Sequence, residues 1–150
     1  MSIHTPRRQR LASGLAVARL ALLHVVLGGL KRVVPVSSLA AWAARPGRIR
    51  PTPADLAIGR VLRAGALVGS PDRDCLQRSV LLYRELRRIG APAALAVGFR
   101  RVDDRLAGHT WVLLDGRVVG EPVADIGRFV PVMTYGAEGS AAAIPAAPHE

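Results

Sequence analysis

Residues 109–119, HTWVLLDGRVV, constrain the fold more than any other stretch of the chain. Asp115–Gly116 stands between two apolar runs rich in β-branched residues. That dipeptide supplies the left-handed backbone a tight hairpin demands, so RVVG must return antiparallel to HTWVLL. The run AALAVGF at 93–99 reads as a strand before this pair, joined to it by a polar loop, RRVDDRLAG. RFVPVMTY at 128–135 adds an edge strand whose pairing Pro131 limits, because proline has no amide to donate.

Upstream, the pattern is helical. Leu11 to Leu30 reads as a helix stopped by Gly28 and Gly29, after a loose basic segment, residues 1–10. VSSLAAWAARPG suggests a short helix beginning after Ser37 or Ser38 and ending before Pro46. A third begins with Thr52 as N-cap and Pro53 in the first helical position, with Asp55 in the first turn. The turn-rich VGSPDRD at 68–74 then leads into a helix that Asp72 or Asp74 can cap and Gly90 ends. On it Cys75, Ser79, Leu82 and Leu86 share one face, and Arg84, Glu85, Arg87 and Arg88 lie toward the other. The expected organisation is a helical N-terminal region (1–70), an α+β core (71–136) and a disordered tail rich in Ala and Pro (137–150).

Composition narrows the function classes. The 150 residues suit one domain, and half are hydrophobic, which excludes a disordered chain. One cysteine excludes an internal disulfide and fits a reducing cytoplasm. The four histidines and one cysteine show no zinc-ligand spacing, so no metal and no cofactor are expected. The net charge of +10 comes from 20 arginines and the single Lys31, scattered along the chain, and aromatics are only 4%. That describes an arginine-covered surface rather than a base-stacking one, so nucleic acid is not the expected partner. The apolar stretch 11–30 is interrupted by Arg19 and His24. Its charge-free run is too short to cross a bilayer, which leaves a buried or interfacial helix with weak membrane contact.

Three residues carry chemistry in combination. Cys75 lies in the first turn of its helix, where unsatisfied N–H groups favour a thiolate. His109 opens the central strand, where an imidazole could take the thiol proton and return it to a leaving amine. Glu121 is the acid that could orient the imidazole, with Asp125 in reserve. The hairpin register decides the matter. A two-residue turn pairs His109 with Pro122 and turns Glu121 to the opposite face. A three-residue loop, Leu114–Gly116, sets His109 against Glu121, and this second register is the expected one. Arg78 and Ser79 either brace the Cys75 helix or bind substrate, and Trp111 is core or cleft wall. Asp115 is explained by turn chemistry, and His4, His24 and His149 have no partner in view.

The order helix-borne Cys, strand-borne His, acid on the next strand is that of papain and the transglutaminases. CLQRS at 75–79, HTW at 109–111 and DGRVVGEP at 115–122 resemble the leader peptidases of lasso-peptide biosynthesis. Their pattern pairs a Cys-Leu-x-Arg-Ser helix with a His-Ala-Trp strand and an acid twelve residues after the His. Thr110 replaces the usual Ala, and Glu121 stands where many members have Asp. The resemblance covers residues 70–133. It implies a papain/transglutaminase-like core and a cysteine protease that removes the leader from a precursor peptide. A separate leader-binding recognition protein would deliver the substrate, and an ATP-dependent lasso cyclase would use the freed amine. Readings from other classes are an idle peptide-binding scaffold, an arginine-rich nucleic-acid or membrane-surface protein, and an acyltransferase passing the thioester to an amine.

Overall fold

The computed structural model describes residues 5–45, 47, 52–69, 74–136 and 141–143. Four helices precede a five-stranded antiparallel sheet, an α+β arrangement: α1 (Thr5–Leu30), α2 (Val36–Ala44), α3 (Ala54–Val68), α4 (Cys75–Arg88), β1 (Ala93–Val102), β2 (Arg105–Leu114), β3 (Arg117–Val119), the short α5 (Val123–Ile126), β4 (Val130–Tyr135) and β5 (Ala141–Ala143). The strand order is β3-β2-β1-β4-β5.

α4 is the centre of the molecule. It packs against α1, α2 and α3 on one side and β1 and β2 on the other. This is why Val80, Leu81, Leu82, Tyr83 and Leu86 are all buried, and why even Gln77 and Ser79 are nearly inaccessible. One core joins Leu20 and Leu27 of α1, Val61 and Ala64 of α3, these α4 residues, and Leu95, Val112 and Tyr135 of the sheet. The helical region before residue 70 and the part after it share this core. Burying each of the larger aliphatic side chains contributes about 1.5–3 kcal/mol. The Tyr83 hydroxyl donates to the Gly136 carbonyl, tying the helix to the end of β4.

Several local expectations need correction. α1 begins at Thr5, so most of the segment expected to be loose is helical. The stretch 100–108 is not a loop. β1 continues to Val102 and pairs with β2 from Arg105, with Asp103 in left-handed backbone (φ 53°) at the turn. Short polar side chains tolerate that conformation, so two aspartates turn the chain where alternation alone reads as loop. β4 is not the sheet edge, because Ala141–Ala143 of the tail pair with its Met133–Tyr135 half. Pro131 sits at a β-bulge, where the pairing to β1 shifts between Val97 and Gly98. The rest of the tail lies outside the described residues.

The hairpin β2–β3 has the two-residue turn. Val112 pairs with Val119, Leu113 with Val118 and Leu114 with Arg117. Asp115 (φ 51°) and Gly116 (φ 75°) are both left-handed, as a turn matching the twist of the strands requires. The expected three-residue register is therefore incorrect.

Candidate functional site

β3 is short, and its shortness makes the site. Its pairing ends at Val112↔Val119, so β2 is an open edge at Thr110. In an antiparallel strand the N–H and C=O of one residue point to the same side. At Thr110 this edge faces α4 instead of a strand. The Ser79 hydroxyl donates to the Thr110 carbonyl (2.6 Å), and the Thr110 amide helps hold the Cys75 thiol below its ordinary value. The first turn of α4 is thus docked on the strand edge, with Cys75, the helix's first residue, half-buried beside His109.

With the register observed, a continued β3 would turn Glu121 to the face opposite His109. Gly120 prevents this. Its φ of +81° breaks the strand and swings the next residue across. A Cβ there would lie 2.8 Å from Leu82 Cδ2, so the position rejects side chains on space as well as on conformation. Glu121 Oε2 consequently lies 2.6 Å from His109 Nε2, and its Oε1 accepts from Arg78 Nη2 at 2.7 Å. The sequence-expected trio Cys75, His109 and Glu121 is brought together by a route other than strand pairing. Arg78 braces the acid, Ser79 braces the helix, and Trp111 is core (4% exposed).

The electrostatics follow from these contacts. Burial pushes the Cys75 thiol up. The hydrogen bond and charge of His109 and the Thr110 amide outweigh that, leaving the thiol below its ordinary value. His109 is pushed up to about 9, first by its bond to Cys75 and then by Glu121, against a smaller opposing effect of burial. Burial likewise raises the Glu121 carboxyl, and the bonds from His109 and Arg78 more than reverse it. Both shifts favour the thiolate–imidazolium pair over the neutral thiol and imidazole. With Nε2 engaged by Glu121, Nδ1 is the ring nitrogen left for the sulfur.

Phe129 was not visible as a site residue in the sequence. Its ring stacks on His109 (4.9 Å between centroids, 27°), and Trp111 lies 6.2 Å from the imidazole at 19°. Gly98 makes room for this cluster, since a Cβ there would meet the Val130 carbonyl at 2.6 Å and Trp111 Cη2 at 2.7 Å. A cleft of about 540 Å³ opens on the Phe129 side of the imidazole, bordered by Glu121, Arg100 and Arg128. The reserve acid Asp125 lines this cleft, but Glu121 holds the imidazole.

Two further outcomes concern polar residues near Cys75. Asp74 is the N-cap residue of α4 yet makes no side-chain capping bond. Its carboxylate accepts from Gln77 Nε2 (3.0 Å) and faces His24 Nε2 (3.5 Å). His24, which had no partner in view, is buried on α1 against this carboxylate. Asp72, His4 and His149 lie outside the described residues. Among the described residues no group of His, Cys, Asp and Glu could hold a metal ion.

A family model described as "Transglutaminase-like superfamily" matches residues 18–134, from α1 through most of β4. No curated protein and no solved structure matches the chain.

Proposed function

The chain belongs to the transglutaminase-like superfamily, and on that premise we propose that it is a cysteine peptidase that removes the leader from a lasso-peptide precursor. The observation that carries the peptidase reading is the continuous line Cys75–His109–Glu121–Arg78. It favours the thiolate and keeps the imidazole protonated. The leader-peptidase assignment rests on the resemblance of CLQRS, HTW and the acid at Glu121 to that family's pattern.

In the proposed reaction the Cys75 thiolate attacks the carbonyl carbon of the leader–core peptide bond. The oxyanion that forms is met by the Cys75 backbone N–H at the start of α4. His109 gives its proton to the core amine as the C–N bond breaks, leaving the leader as a thioester on Cys75. His109, now neutral, takes a proton from water as the water attacks the thioester. The leader departs as a carboxylate, and the thiolate–imidazolium pair is restored. Glu121 keeps the ring in one tautomer throughout, and Arg78 keeps Glu121 in place.

The partners in this reading are the precursor peptide, a leader-binding recognition protein that presents it, and the ATP-dependent cyclase that consumes the amine. The setting is cytoplasmic. Among the described residues one helix is long and apolar enough to cross a membrane, Ala12–Leu30, of which 22% is buried. Leu15, Leu22, Val25 and Val26 are exposed along it, which supports the weak membrane contact proposed for this helix.

The decisive test is mass spectrometry of a precursor peptide incubated with the recognition protein and either wild type or Cys75→Ala. Leader and core fragments with wild type alone are the expected result. Intact precursor with both folded proteins would remove the peptidase reading and leave a peptide-binding scaffold.

A further inference from the structure

The cleft beside His109 has a charge arrangement that the peptidase chemistry does not use. Its walls carry Arg78, Arg100, Arg128, Glu121 and Asp125. Arg78 and Glu121 neutralise each other. Arg100 and Arg128 then stand against a single carboxylate, Asp125, with which neither forms an ion pair. Arg100 is half-buried. Its guanidinium lies over the Phe129 ring (5.0 Å to the centroid), and that ring stacks on His109. The Arg100 Nε is buried and has no hydrogen-bond acceptor among the described residues.

Two guanidiniums without a carboxylate partner line one wall of the cleft, and a guanidinium fork matches the two oxygens of a carboxylate. We infer that this cleft binds a carboxylate of the substrate peptide through Arg100 and Arg128, on the leaving-amine side of the bond that is cut. The side follows from the layout. The cleft begins at His109, the group that hands its proton to the leaving amine, and Cys75 is not part of its lining. The segment departing with the amine therefore runs along Phe129 toward the two arginines. The contact of the Arg100 guanidinium with the Phe129 ring helps position it, and a planar fork pairs with a carboxylate in a way a lysine ammonium cannot, so recognition depends on arginine geometry as well as on charge.

The inference deepens the peptidase reading and rests on it for the direction of the bound chain. The test keeps the two separable by measuring binding to the full-length Cys75→Ala protein, which cannot turn over. Three synthetic peptides serve as probes: an amidated Gly/Ala peptide with one Glu, the same peptide with Gln, and the Gln peptide with a free C-terminus. Affinity is read by calorimetry, and the Arg Nε–H signals are followed by NMR. The Glu peptide is expected to bind roughly tenfold or more tighter than the amidated Gln peptide and to shift the Arg100 Nε–H resonance. Tighter binding of the free C-terminus would identify a terminal carboxylate as the source. The preference should be reduced by Arg128→Gln, whose side chain is exposed. It should be lost in Arg100→Gln and only partly restored by Arg100→Lys. Equal binding of the Glu and both Gln peptides, or a preference that survives both Gln substitutions in folded protein, would overturn the inference. Cleavage by wild type is scored separately, so a protein that binds the Glu peptide selectively but cuts nothing would count against the peptidase reading alone.

Discussion

At the residue scale the site depends on proton positions. The thiolate–imidazolium pair exists between the lowered thiol value of Cys75 and the value of about 9 for His109. Activity should fall as pH rises through about 9, when His109 loses the proton that the proposed mechanism has it deliver. It should fall on the acid side only below the ordinary thiol range, and alkylation of Cys75 by iodoacetamide should follow the same acid limb. Glu121→Gln leaves a neutral partner at the same place. It should lower the upper limb of the kcat/KM profile and slow turnover by roughly 10²- to 10⁴-fold, the range for loss of a tautomer-fixing acid. The same linkage touches stability. A group raised in the fold contributes fully below its unfolded value and loses that contribution as pH rises through its folded value. The charge-linked part of the Tm advantage of wild type over His109→Ala should therefore be complete at mildly acidic pH and be lost as pH rises through about 9, leaving the part that comes from ring packing.

At the scale of elements, the short β3 and Gly120 decide where the proposed acid Glu121 lies. Gly120→Ala must adopt a φ of +81° with its Cβ 2.8 Å from Leu82. It should destabilise the fold by about 1 kcal/mol or more and carry Glu121 away from His109. A Tm loss accompanied by the upper-limb shift of Glu121→Gln is the expected pair of readings. Ser79→Ala removes the donor to the Thr110 carbonyl at the sheet edge. Leaving that buried carbonyl unpaired should cost about 1–3 kcal/mol, with a fall in kcat because the first turn of α4 loses a clamp. Thermal unfolding and steady-state kinetics on the same preparations check both.

At the scale of the whole molecule, α1 belongs to the same core as the site-bearing helix. Leu20→Ala empties a fully buried position between α1 and its neighbours. It should cost about 2–5 kcal/mol and lower the single unfolding transition as a unit, rather than melting α1 alone. Two transitions in a calorimetric scan would show instead that the helical part and the sheet unfold separately. The exposed side of α1 is a different matter. Cosedimentation with anionic vesicles should depend on Leu22 and Val25, which are exposed, and not on Leu20.

The residues themselves decided which elements form, and tertiary packing decided how they meet. Helical spacing around Cys75, strand alternation around Trp111 and the Asp115–Gly116 turn are local properties, set by backbone sterics within a few positions, and each was legible in the sequence. Cys75 and His109 could be picked out as candidates from element order, whereas Glu121 was set against His109 through a hairpin register that the structure does not have. How Glu121 reaches His109 could not be read locally. The register and the left-handed Gly120 act together there, and a glycine after a strand does not announce which way it will turn the chain. Phe129, Arg100 and the His24–Asp74 contact were equally hidden, because each joins residues distant along the chain. Only the folded core, with α4 at its centre and the β2 edge left open by a three-residue β3, brings them within reach of the thiol and the imidazole.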